Sequence, residues 1–67
     1  MSYTDSEITR IVVGILQTPA DSWQSYAYTA RMVEVLYRAG NEMPDTDRAY
    51  YMQLVERRLP CHTKALH

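Results

Sequence analysis

Three observations in the sequence predict an all-α fold, a small three-helix domain with a long central helix that pairs as a homodimer. Apolar residues recur at three- and four-residue intervals in three separate segments, as helices with one buried side require. The segments are bounded by helix-capping residues, Gly40 and three prolines, which are helix start and stop signals. The middle segment carries an apolar arc of roughly 200°, about twice what one packed face needs, so a second surface is expected to cover it.

The first helix is predicted over residues 5–17. Thr4 and Glu7 have capping-box spacing, in which the Thr4 hydroxyl accepts from the Glu7 backbone and the Glu7 carboxylate reaches back. Tyr3 and Ile8 are placed to form the hydrophobic staple across that cap. Ile8, Ile11, Val12, Ile15 and Leu16 then form the apolar stripe. Gly14 weakens the helix by about 0.5–1 kcal/mol relative to Ala and leaves room for a close neighbour.

Thr18-Pro19 marks a turn, because proline disfavours helix in the residue before it and suits the first position of a new helix. The second helix is expected over 19–39, capped by Thr18 or Asp21 and ended by Gly40-Asn41. At roughly 100° per residue, Gln24, Arg31, Glu34 and Arg38 share a narrow polar face. Trp23, Tyr26, Ala30, Val33 and Tyr37 make one apolar stripe, and Tyr28, Met32, Val35, Leu36 and Ala39 make another. The third helix is expected over 45–59, from an Asp45 or Thr46 cap to Pro60, with Tyr51, Met52, Val55 and Leu59 on its inner face. Residues 60–67 read as a tail without periodicity.

With 67 residues the chain is read as a single domain, 1–67. A domain of this size buries only about 60% of its unfolded surface, so a second copy would relieve a thin margin. One cysteine, Cys61, excludes an internal disulfide and points to a reducing cytoplasm. The longest uncharged run, residues 11–20, is too short for a bilayer, so no membrane partner is expected. A net charge of −1 argues against a chain built chiefly to hold phosphate backbones. Every aromatic is Tyr or Trp, side chains with a polar tip suited to half-wet interfaces.

Cys61, His62 and His67 are zinc-ligand types but lack structural-site spacing, so neither a metal nor any other cofactor is expected. Cys61 and His62 likewise lack an orienting third group, and no enzyme is predicted. Asp5, Glu7, Asp21, Asp45 and Asp47 fall in first turns, and Arg38, Arg57 and Arg58 in last turns, where the helix macrodipole favours them.

The expected function is that of a small regulatory or inhibitory protein that binds another protein, itself a homodimer. The expected binding set is Trp23, Tyr26, Tyr28, Arg31, Met32, Val33, Leu36, Tyr37 and Arg38, with aromatic anchors and arginines that fix register. The alternative is a small dimeric DNA-binding regulator whose basic patch is Arg57, Arg58 and Lys64. Against it, the third helix opens on Asp45 and Asp47, whereas a recognition helix meets DNA with its first residues.

The layout of an Ile-Leu pair closing a short helix, the run ARMVEVLY, a polar loop and the segment YYMQLVERRL resembles small enterobacterial connector and biofilm-regulator proteins over residues 8–59. That resemblance implies a dimeric helical regulator that binds signalling proteins, with DNA involvement as a further implication. The chain departs from the pattern in its short stretch before the first helix and in Pro19 at the first turn. No functional residue carries over.

Overall fold

The computed structural model describes residues 2–58. Three α-helices follow one another, α1 (Asp5–Gln17), α2 (Trp23–Ala39) and α3 (Asp45–Arg58), with a 3-10 turn (Gly40–Glu42) after α2. No strand occurs among the described residues. Both α1 and α3 pack on α2, and they meet each other little.

The start of α1 follows its sequence in one half of the expected box. The Thr4 hydroxyl accepts from the Glu7 N–H at 3.1 Å, and Tyr3 packs half-buried against the core cluster. The other half is different: the Glu7 carboxylate accepts from the Arg38 guanidinium at 2.9 Å, tying the first turn of α1 to the last turn of α2. A charged, planar donor offers a stronger bond than a backbone N–H. At the far end the Thr18 hydroxyl donates back to the Gly14 carbonyl at 2.8 Å, so Thr18 closes α1 and does not open α2.

The second helix starts later than expected. Ser22, not Thr18 or Asp21, is its cap, and the Ser22 hydroxyl accepts from the Ser25 N–H at 3.1 Å. Pro19 sits in the preceding turn, where its carbonyl accepts from the Ser22 N–H at 3.0 Å and from the Ser22 hydroxyl at 2.7 Å. Proline is permitted at a first helical position but does not require one. The central helix is therefore 17 residues, against 14 for α3. Gly40 ends it as the sequence indicates, with φ 53° and ψ −127°, a region open to glycine. The Gly40 N–H donates to the Leu36 carbonyl, and its own carbonyl accepts from the Arg48 guanidinium of α3.

Neither Asp45 nor Thr46 caps α3, because Asp45 is already helical. The cap position belongs to Pro44, whose carbonyl accepts from the Arg48 N–H at 3.0 Å. The inner face of α3 is also rotated from the expected one: Leu54 and Val55 are buried and Tyr51 half-buried, while Met52 is exposed. Leu59 lies outside the described residues.

The core is one cluster made of Ile8, Ile11 and Ile15 from α1, Met32, Val35, Leu36 and Ala39 from α2, Met43 from the loop and Val55 from α3. Tyr3, Val12, Tyr28 and Tyr51 pack against it half-buried. The Tyr28 ring lies over Gly14, so closely that a Cβ there would collide with it. One buried group has no account: the Ser25 hydroxyl is fully buried without a partner among the described residues.

Candidate docking surface on α2

The two apolar stripes of α2 have different fates. Met32, Val35, Leu36 and Ala39 turn inward and are almost fully buried. On the opposite side Trp23 is 75% exposed, Tyr26 65%, Val33 44% and Tyr37 90%, with exposed Ala30 between them. Burying a large apolar side chain is worth about 1.5–3 kcal/mol. Four such side chains left in solvent on one helix face form a contiguous patch, whereas scattered single ones need no explanation.

This division corrects the expected binding set. Met32 and Leu36 are core residues of the chain itself and present nothing to a partner. Tyr28 is half-buried because its ring closes the α1–α2 contact over Gly14. The structure brings Trp23, Tyr26, Val33 and Tyr37 to one exposed face, with Arg31 and Arg38 exposed to one side of it. Arg38 is held by its ion pair with Glu7, which restricts the guanidinium to the α1 side of the patch.

The patch is shallow in shape and continuous in chemistry. One open depression is lined by Tyr26, Thr29, Ala30 and Val33, and a second by Trp23, Gln24, Ala27, Tyr28 and Arg31. A helix bearing aromatic anchors at three- and four-residue spacing is suited to lie against another helix or into a groove. Ala30, with no more than a methyl group, lets a neighbour approach the backbone at the middle of the stripe. Sequence reasoning passed over Ala27 and Ala30 as binding residues because small side chains carry no chemistry of their own.

A cleft between α1 and α2 is open and lined by Thr4, Ser6, Glu7, Arg10, Ile11, Tyr28 and Arg31. No group of three metal-ligating side chains occurs among the described residues. Cys61, His62, His67 and Lys64 lie outside them. Of the expected basic patch, Arg57 is exposed and Arg58 half-buried at the end of α3. No helix among the described residues is long and apolar enough to cross a membrane.

Two ionisable groups elsewhere are perturbed. Hydrogen bonds from the Ser2 hydroxyl, at 2.5 Å, and the Ser2 N–H, at 2.9 Å, hold the Glu42 carboxyl below its ordinary range. Burial, followed by the nearby Asp47 charge, pushes the Tyr51 phenol up. Both lie on segments other than α2.

No family model, curated protein or solved structure matches the chain.

Proposed function

We propose that the protein is a small non-catalytic regulator or inhibitor of the cytoplasm that works by docking, with the outer stripe of α2 as its binding surface. The observation that carries this reading is the exposure of Trp23, Tyr26, Val33 and Tyr37 along one helix whose opposite face is already committed to the core. Tyrosine and tryptophan are the residues that dominate binding energy at protein interfaces, where a few anchors supply most of the affinity. Homodimerisation and capture of a different protein both use such a surface. A tethering or occluding action suits this arrangement, because a helix packed on by two neighbours presents its anchors on a backbone that is already ordered.

The test is affinity capture from the native cell with the wild-type chain and with Trp23→Ala and Tyr37→Glu, followed by identification of the bound material. The reading expects one protein recovered by the wild type and lost by both variants, each still helical by circular dichroism. Equal recovery by all three chains, or nucleic acid as the retained material with the steep salt dependence of phosphate contacts, would overturn it.

A further inference from the structure

We infer that the outer stripe of α2 pairs with the same stripe of a second copy, antiparallel, about a two-fold axis at Ala30. This rests on the docking reading of the stripe and supplies its partner. Trp23, Tyr26, Ala30, Val33 and Tyr37 are spaced three, four, three and four residues apart, the a/d pattern of a two-helix seam. The set is also nearly symmetric along its length. Trp23 and Tyr37 each lie seven residues from Ala30, while Tyr26 and Val33 lie four and three away.

An antiparallel overlay on Ala30 is self-complementary, as a two-fold interface must be. It sets Trp23 level with Tyr37 of the other copy and Tyr26 within one residue of the level of Val33 of the other copy. The methyl groups of the two Ala30 residues meet at the centre, where small side chains allow helix axes to approach toward the lower end of about 8–10 Å. The rim charges choose the direction. In the antiparallel overlay Arg38, which keeps its Glu7 ion pair, comes within one residue of the level of the exposed Asp21 in the turn before α2 of the other copy, so no like charges stack at the ends. A parallel overlay would instead set Arg31, Glu34 and Arg38 each beside its own like charge and would align the two helix macrodipoles unfavourably.

Area sets the strength. Fully covered aromatics bury 150–250 Å² each, so Trp23, Tyr26 and Tyr37 at their observed exposures offer roughly 350–550 Å² per copy. Two copies together then approach the ~1,000 Å² that separates specific interfaces from incidental contacts. An area of this size belongs to the weak, reversible end of specific interfaces, and the 21 Å stripe length, from about 1.5 Å per residue, is used in full.

The experiment is sedimentation equilibrium of the full chain from micromolar to millimolar concentration, joined to disulfide trapping with diamide in a Cys61→Ser background. The expected result is a monomer–dimer equilibrium that Tyr37→Glu weakens at least tenfold while leaving the helical circular dichroism intact, since Tyr37 is 90% exposed. Ala30→Cys is expected to trap a covalent dimer, because the two positions meet at the axis. Tyr37→Cys alone is expected not to, because its two copies lie about 21 Å apart along the seam, beyond the ~7 Å Cα limit for a disulfide. A wild-type chain that stays monomeric throughout overturns the inference while leaving docking to a different protein standing. Trapping through Tyr37→Cys as readily as through Ala30→Cys, or a dimer indifferent to Tyr37→Glu, overturns the geometry.

Discussion

Gly14 is held by a side chain it does not share an element with. Two effects oppose each other at this position: alanine suits a helix better than glycine by about 0.5–1 kcal/mol, but a methyl group would displace the Tyr28 ring from the surface of α1. Unseating a half-buried aromatic forfeits part of a burial term of about 1.5–3 kcal/mol, the larger of the two. Gly14→Ala is therefore expected to lower stability by about 1 kcal/mol in urea denaturation, and the same change in a Tyr28→Ala background to raise it by about 0.5–1 kcal/mol. A loss of equal size in both backgrounds would show that the ring is not what limits the site. The sequence signalled a close neighbour at Gly14 but not its identity, since the approach comes from a residue in the next helix. The same limit explains Met32 and Leu36. Helical spacing divides α2 into two apolar stripes, yet nothing local says which one faces inward, and residues from both entered the expected binding set.

Between the elements, local chemistry decided what was legible. The α1 cap and the glycine stop of α2 rest on signals within a few residues, and each is found where it was expected. The start of α2 rested on a permissive rule for proline, and the serine cap three residues further on prevailed. Caps are worth about 0.5–2 kcal/mol. Ser22→Ala is expected to cost about 1 kcal/mol, and Asp21→Ala, at an exposed position away from the cap hydroxyl, to remain within ±0.5 kcal/mol. Thermal or chemical denaturation of the two variants checks this, and a larger loss from Asp21→Ala would return the cap to the aspartate. Met43 escaped notice because a periodic reading stops at the helix end, and a single apolar residue in a polar loop carries no period. Leu54 escaped for a related reason: the adjacent Met52 and Val55 suggested a face turned by a fraction of a helical turn from the one that packs.

Across the molecule, proton linkage reports on how the third helix is seated. Tyr51 packs half-buried against the shared core, and burial raises its phenol above the ordinary value near 10. A raised folded-state value favours the protonated form in the native chain. Its contribution is therefore fully present below the unfolded phenol's range, and is lost as pH rises through the folded value. The stability difference between the wild type and Tyr51→Phe is expected to be constant from neutral pH to about pH 9 and to shift in favour of Phe as pH rises through about 10 and beyond. Parallel pH profiles for the two chains would remove burial of this phenol as a cause of alkaline loss.

The placement of α2 between two neighbours has a further consequence for how the chain tolerates change. Its inner arc is occupied by the core and its outer arc by exposed aromatics, which leaves Gln24, Arg31, Glu34 and Arg38 as an exposed polar band in which Arg38 pairs with the Glu7 carboxylate. Substitutions at Arg31, Glu34 and Arg38 alter charge; those on the inner arc alter the fold, and those on the outer stripe are expected to alter the proposed docking. The helix that both neighbours pack on is thus also the one that carries the proposed contact surface.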